Sequence, residues 1–294
     1  MNDSRPPANA VLSAVVAFGL WGVMPVYWKL LTHLGSDIAL AQRMVWTLIT
    51  LVPLLMLRGE WRAWTRSLCD GAVLRAHAWA GLLLTINWTL FVWATQHGRI
   101  LEASLGYFIN PLLNVLIGRL LLGERLSRLQ SWSVACAAVG VVAQVVLLGR
   151  MPWLALCIAL TFAFYGLARR NSPLRSLPGL GVETLLGTPF ALLYLLWSDA
   201  QGIAIWGTQS MSDFALIGCL GMVTAAPLLG FAHAARHLPF ALLGLLQFIA
   251  PTGQFLVGAL VYHEPVGWGA LASFVFIWVG VALFCADIWF KRRR

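Results

Sequence analysis

The chain has 294 residues, of which 60% are hydrophobic and 11% are charged, and its formal net charge is +9. Soluble domains carry roughly 25% charged residues, so this composition excludes a water-soluble globular fold and makes lipid the expected solvent for most side chains. The fifteen tryptophans fit the same interpretation, because tryptophan is enriched at membrane–water interfaces.

The chain opens with a short polar segment, Met1 to Asn9, which lacks the basic start and the cleavage site of a secretory signal. We therefore expect the first apolar run to be a retained helix. Ten runs have about the length that crosses a bilayer. They lie near 10–31, 38–57, 75–96, 102–122, 129–148, 152–168, 178–198, 213–235, 239–261 and 267–290. The sequence thus predicts an all-α polytopic membrane protein with ten transmembrane helices.

Lysine and arginine are distributed unequally between the two sides of these runs. If the N-terminus is cytoplasmic, sixteen basic residues fall on that side and only Arg99 and Arg150 fall on the other. The positive-inside rule then places both termini in the cytoplasm of a multi-pass protein of the bacterial inner membrane. Because topology explains the basic charge, we expect no nucleic-acid partner.

An internal repeat appears when the chain is compared with itself at a shift of 140 residues. The pattern Phe-Ile-x-Pro occurs at 108–111 and at 248–251, and a glutamate follows each proline thirteen residues later, at Glu124 and Glu264. The shift predicts two units, 1–148 and 149–290, with a basic cytoplasmic tail at 291–294. Five helices in each unit is an odd number, so the second unit would enter the membrane inverted, as in many secondary transporters.

Three segments carry a resemblance to a known family. They are LEASLGYFINPL at 101–112, FGLWG at 18–22 and FVFIW at 274–278. They resemble RarD proteins, which belong to the EamA branch of the drug/metabolite transporter superfamily. The resemblance implies a ten-helix inner-membrane permease made of two inverted five-helix EamA repeats. It also implies a link to chloramphenicol sensitivity but identifies no physiological substrate; relatives in the superfamily export amino acids and other metabolites.

Polar and aromatic residues at mid-depth are the candidates for contact with a small-molecule solute, because polar groups in lipid tend to face a cavity or a partner helix. Several of them form one stripe on the fourth run and a matching stripe on the ninth. The candidates are Trp21, Asn87, Tyr107, Asn110, Asn114, Tyr165, Thr224, Gln247 and Gln254. The alternative is that these amides only hold helices together. Taken together, the two stripes favour a cavity.

Arg43 and Glu183 are equivalent positions of the repeat and are the candidates for coupling. Both lie near the start of their runs but enter from opposite faces, so their depths should differ by about 15 Å and a direct ion pair is not expected. Each would bind substrate charge near its own entrance or reach toward the interface. Proton-driven antiport through Glu183 is one hypothesis; exchange and facilitated diffusion need no titrating residue. Glu124 and Glu264 are expected to act as caps at helix ends.

Enzymatic motifs are absent from the sequence. It contains no HExxH, GxSxG or Walker-type GxxxxGK pattern, and its five cysteines show no metal-ligand spacing. We therefore expect no catalytic residue, metal or cofactor. The sequence favours a secondary transporter of small metabolites or drug-like solutes that works by alternating access. The alternatives are a non-transporting membrane subunit or a membrane-embedded enzyme. A monomer and a homodimer are both compatible, and the direction of transport stays open.

Overall fold

A computed structural model describes most of the chain. The described residues are 6–96, 100–148, 151, 153–203, 210–262, 271, 275–276, 278–280, 282–283 and 286–287. Every regular element within them is helical. The helices are α1 (Ala8–Leu30), α2 (Ser36–Leu57), α3 (Trp61–Ser67), α4 (Gly71–Gln96), α5 (Ile100–Leu120), α6 (Arg128–Leu148), α7 (Trp153–Arg170), α8 (Ser176–Ala200), α9 (Met211–His237), α10 (Phe240–Leu246) and α11 (Ile249–Leu256), followed by a π-helical turn at Val257–Val261.

Six of the described segments are long and apolar enough to cross a membrane. They are Ala8–Leu30, Ser36–Leu57, Trp153–Arg170, Ser176–Ala200, Met211–His237 and Phe240–Val261. The chain is therefore an all-helical, multi-pass membrane protein, as predicted. The count of ten spans stays a prediction, since most of the tenth run, 267–290, lies outside the described residues.

The distribution of side chains on α8 shows which solvent surrounds the helices. Phe190, Leu193 and Leu196 are 75%, 65% and 67% exposed, whereas Glu183 and Thr184 on the same helix are buried. In water this arrangement would expose the apolar face and bury the charge. In a bilayer it is the expected one, because apolar residues face lipid and polar residues face the protein interior.

Glycines allow close approach of the helix backbones. A Cβ atom added to Gly221 of α9 would lie 2.1 Å from the backbone oxygen of Trp46 on α2. Gly22 of α1 and Gly253 of α11 also meet, and a Cβ on Gly253 would lie 2.8 Å from the Gly22 Cα. Small residues at such crossings give membrane helices their packing contacts, because lipid supplies no hydrophobic driving force between them.

The helix contacts occur in equivalent sets. Helix α1 packs against α9 and α11, and α7 packs against α4 and α5. A shift of 140 residues relates α1 to α7, α4 to α9 and α5 to the α10–α11 segment, so these contacts correspond. The division into inverted units 1–148 and 149–290 stays a prediction, and the matched contacts favour it.

Two local features differ from the sequence prediction. The ninth run, expected as one helix over 239–261, is interrupted between α10 and α11. The reason is Pro251, which has no N–H to donate to the Gln247 carbonyl; the Ala250 N–H donates to it instead at 3.2 Å. In addition, α3 lies in a segment expected as a loop, after Gly59 has ended α2 with a φ of +67°.

Candidate functional site

A cavity of about 40 Å³, here called the central cavity, lies between α2, α4, α8 and α9. Its lining residues are Arg43, Met44, Thr47, Gly81, Leu84, Thr85, Leu180, Glu183, Thr184, Thr224 and Leu228. Three pairs among them are exactly one repeat shift apart in number: 43 with 183, 44 with 184 and 84 with 224. Residues that are equivalent in the two predicted units therefore line the same cavity, which is where substrate sites of inverted-repeat transporters lie.

Arg43 brings a positive charge into the wall of the central cavity. Its side chain belongs to α2 and is buried, with 6% of the residue exposed. The guanidinium carbon lies 3.3 Å from the centroid of the Trp88 ring on α4, which is a cation–π contact. Its Nη1 atom is buried and has no hydrogen-bond partner among the described residues. The site thus contains a buried donor that the protein itself does not satisfy.

Glu183 of α8 is the acidic residue of the same wall, and its carboxylate is already well paired. Oε1 accepts a hydrogen bond from Arg169 Nη1 at 2.9 Å and lies 2.9 Å from His77 Nδ1. Oε2 accepts from the Tyr165 hydroxyl at 3.3 Å. All four side chains are buried. A carboxylate with this many partners is stable in the interior as an ion and holds α4, α7 and α8 together.

The relation between Arg43 and Glu183 is partly as expected. The structure contains no ion pair between them, in agreement with the sequence analysis. The expectation that each lies at its own entrance is wrong, because both line the central cavity. The prediction counted backbone rise from opposite membrane faces and left out the length of the arginine side chain, which carries its charge several ångströms away from its Cα.

A second cavity of about 170 Å³, here called the side cavity, lies beside the adjoining ends of α4 and α7. Its wall includes His77 and Ser172. The Ser172 hydroxyl lies 3.0 Å from His77 Nε2, while His77 Nδ1 contacts Glu183. Hydrogen bonds therefore run from the side cavity through His77 to a carboxylate of the central cavity. An imidazole with both nitrogens bonded in this way can pass a proton from one side to the other.

Two predicted residues, Trp21 and Tyr165, meet in an aromatic cluster between α1, α7 and α9. Trp21 packs against Phe162 and Phe231 with ring centroids 5.6 and 5.8 Å apart. Tyr165 stacks on Phe231 at 6.0 Å with an interplanar angle of 14°. Because Tyr165 also binds Glu183, this cluster adjoins the charged network.

The predicted stripes of the fourth and ninth runs do meet, through their amides. Asn114 of α5 donates to the side-chain oxygen of Gln247 at 2.7 Å, and Asn110 donates to the Ala159 carbonyl of α7 at 2.7 Å. These three amide side chains are buried. Their contacts are those of residues that join helices, which was the alternative interpretation.

The remaining amides make the same kind of contact. Asn87 of α4 donates to the Ile158 carbonyl at 2.7 Å, and Gln254 of α11 donates to the Trp21 carbonyl at 3.2 Å. Tyr107 packs edge-on against Phe91, with centroids 5.4 Å apart. These residues link helices and do not line the central cavity.

Of the nine residues proposed to contact solute, Thr224 lines the central cavity together with Arg43 and Glu183. The role of the other eight in solute binding stays a prediction. Among the described residues, no group of three or more His, Cys, Asp or Glu is placed to hold a metal ion.

Sequence reasoning missed two members of the network, Arg169 and His77. Arg169 was counted among the cytoplasmic basic residues, but its side chain is fully buried against Glu183. A signal was present: a glutamate in an apolar helix needs a partner, and the short 171–175 connection brings the last turn of α7 near the start of α8. No comparable signal singled out His77, because it is distant in sequence.

Glu124 has the capping role that the sequence predicted. Its carboxylate accepts from the backbone N–H groups of Phe240 and Ala241 at 2.6 and 2.9 Å, at the start of α10. Helix N-terminal N–H groups lack partners within the helix, so a carboxylate there satisfies two of them. The predicted equivalent, Glu264, lies outside the described residues.

Comparisons with known proteins agree with this architecture. The family described as "EamA-like transporter family" matches residues 8–146. The chain is 43% identical over 286 residues to an uncharacterized transporter of Pseudomonas aeruginosa, covering 95% of this chain and 94% of that one. It is 36% identical over 292 residues to Protein RarD of Escherichia coli K12, covering 99% of each. It is 32% identical over 283 residues to a P. aeruginosa protein named "Chloramphenicol-sensitive protein RarD", covering 95% and 94%.

The fold also matches a solved structure. A crystal structure of another protein superimposes with a TM-score of 0.67 and covers 93% of this chain and 96% of its own. The sequence identity is 21%, so this likeness concerns the fold alone.

Proposed function

We propose, from the premise that this chain belongs to the EamA-like transporter family and within it to the RarD proteins, that it moves small metabolites or drug-like solutes by alternating access. Its identity as a multi-pass membrane transporter follows from that membership and from its apolar helices. The observation that carries the proposal is the central cavity, where repeat-equivalent residues from α2, α4, α8 and α9 converge. Both termini would lie in the cytoplasm.

The size of the central cavity supports a mechanism that needs rearrangement. Pockets for small molecules usually have volumes of about 300–1,000 Å³, whereas the central cavity measures about 40 Å³. A drug-sized solute therefore fits only after the surrounding helices separate. Movement of one predicted unit against the other would open the cavity to one membrane face at a time.

Chloramphenicol-like compounds belong among the candidate solutes. One relative carries chloramphenicol sensitivity in its name, and this chain is 32% identical to it. We extend that link to this chain as part of the proposal. The fold by itself does not choose between amphenicols, amino acids and other metabolites, because related folds carry different functions.

Solute flux in proteoliposomes tests the proposal. The panel would contain amino acids, amphenicols and common metabolites, with and without an imposed pH gradient. Thr224→Trp fills the central cavity, and Met222→Trp is the matched control because Met222 lies on the same helix with 62% of its surface exposed. We expect flux of one compound class that Thr224→Trp abolishes and Met222→Trp retains. Unchanged flux in Thr224→Trp would place the pathway elsewhere.

Proton-driven antiport is the coupling mechanism that the site favours. Glu183 lines the central cavity and connects through His77 to the side cavity, so a proton has a route to the carboxylate. Glu183→Gln should abolish uphill transport and leave solute exchange intact. Loss of both activities, or of neither, would contradict this role and favour exchange or facilitated diffusion.

The two alternatives are a membrane-embedded enzyme and a non-transporting subunit. An enzyme would need a nucleophile and base within reach of one another. In the described part of the chain, the wall of the central cavity includes no serine, cysteine or histidine. Absence of flux for every compound, from protein shown to be folded and inserted, would favour the non-transporting subunit.

A further inference from the structure

We infer that Arg43 is the residue that binds the solute, and that the solute carries a carboxylate. The inference rests on the proposed function, in that it assigns a chemical class to the molecule that enters the central cavity. It depends on three features of the site: an uncompensated positive charge, the geometry of the guanidinium and the composition of the surrounding wall.

The positive charge at the site lacks a counterion. Two buried guanidinium groups, Arg43 and Arg169, lie near one buried carboxylate, Glu183. Arg169 is paired with that carboxylate, whose second oxygen is taken by Tyr165. Arg43 forms no ion pair within the described residues, so one positive charge is left over. A buried charge of this kind is costly unless an anion joins it.

The contact with Trp88 does not replace an anion. Ring stacking at 3.3 Å covers one face of the Arg43 guanidinium, but the N–H groups lie at its edge and still need acceptors. Nη1 is buried without one. Stacking instead fixes the plane of the guanidinium and so orients its edge before a ligand arrives, which lowers the entropy lost on binding.

Snorkelling toward the interface is the structural alternative for an arginine on a membrane helix. It predicts a guanidinium in contact with water or lipid headgroups. Arg43 is 6% exposed and lines an internal cavity instead. The position is therefore that of a binding group.

The wall of the central cavity favours a carboxylate on a small apolar body. Thr47 and Thr184 donate their hydroxyls to carbonyls of their own helices, at 2.6 and 2.8 Å, so their oxygens are left as acceptors. Acceptors repel an anion and leave Arg43 as its binding partner. Leucines 84, 180 and 228 complete the wall with apolar surface. One guanidinium fork and an apolar wall suit a planar monocarboxylate better than a strongly hydrated inorganic anion.

Thermal unfolding of the purified protein in detergent tests the inference without requiring transport. The probes are propionate, propionamide, n-propylammonium and chloride at matched ionic strength. The variants are Arg43→Gln and Arg43→Lys. The control is Arg58→Gln, because Arg58 is an exposed arginine at the end of the same helix.

We expect propionate to raise the Tm of the wild type and of Arg58→Gln by about 2–4 °C in a concentration-dependent way. Arg43→Gln should lose this shift, and Arg43→Lys should need several-fold more propionate because it lacks the planar fork. Equal shifts by propionamide or chloride would overturn the inference, as would a full shift in Arg43→Gln. If Arg43→Gln does not fold, the comparison of propionate with propionamide on the wild type and Arg43→Lys decides.

The two proposals fail in different ways. Propionate binding through Arg43 without flux of any solute in proteoliposomes would contradict the transport mechanism and leave the binding site standing. Flux of a carboxylate that Arg43→Gln leaves unchanged would contradict the binding role and leave transport standing.

Discussion

Replacement of Arg169 by leucine should destabilise the protein strongly. The Arg169 side chain is fully buried, and its Nη1 and Nη2 donate to Glu183 Oε1 and to the Ser176 carbonyl, both at 2.9 Å. Leucine would leave the Glu183 carboxylate buried with only the neutral donors His77 and Tyr165. Removal of one partner from a buried pair costs about 3–5 kcal/mol, and we expect a loss of that order.

Unfolding in mixed micelles of detergent and SDS, followed by tryptophan fluorescence, would measure this loss. Arg175→Leu is the matched control, because Arg175 Nη1 lies 3.1 Å from Glu60 Oε1 while the arginine side chain is 81% exposed. An exposed pair contributes about 0–1 kcal/mol, so the control should unfold almost as the wild type does.

A double mutant separates the ion pair from other effects of the substitution. Arg169→Leu combined with Glu183→Leu removes both charges and should cost less than the sum of the two single changes. An Arg169→Leu loss no larger than that of Arg175→Leu would refute the reasoning. Additive single and double mutants would refute it too, since they would show that the 2.9 Å contact carries no coupling energy.

Two further predictions concern helix packing. Gly221→Ala should destabilise by about 1–3 kcal/mol in the same unfolding assay, because the new Cβ would lie 2.1 Å from the Trp46 carbonyl oxygen; Gly218→Ala, whose nearest Trp46 atom is 3.9 Å away, should be neutral, and equal effects would contradict the prediction. Asn114→Leu should cost about 1–3 kcal/mol by leaving the Gln247 oxygen unpaired, and adding Gln247→Leu should recover much of it. Normal solute flux in that double mutant would show that the two amides join helices, whereas lost flux in a stable double mutant would place them in the pathway.

Much of the fold was predictable because it depends on local composition. Long apolar runs identify membrane helices wherever they occur in a chain, and those over α1, α2, α7, α8 and α9 agree with the described helices to within a few residues. The break between α10 and α11 was also encoded locally, in Pro251, but hydropathy alone does not register a missing N–H.

The candidate site was less predictable because it depends on which helix faces meet. Sequence spacing correctly placed Asn114 and Gln247 on facing stripes, yet it could not tell that their amides would bond to each other. It also identified Arg43 and Glu183 as unusual charges in apolar helices, and the shift of 140 residues related them. It could not show that both line one cavity.

By itself, the sequence determined the solvent, the helical class and the family, because these follow from composition, hydropathy and local motifs. Only the tertiary structure decided the partners of the buried charges: Glu183 is paired with Arg169 and His77, and Arg43 is left facing the central cavity. The physical reason is that a buried charge is satisfied by whichever groups come within about 3 Å of it. Helix rotation and crossing bring together residues as distant as 77 and 183, and no pattern within a single helix records that contact.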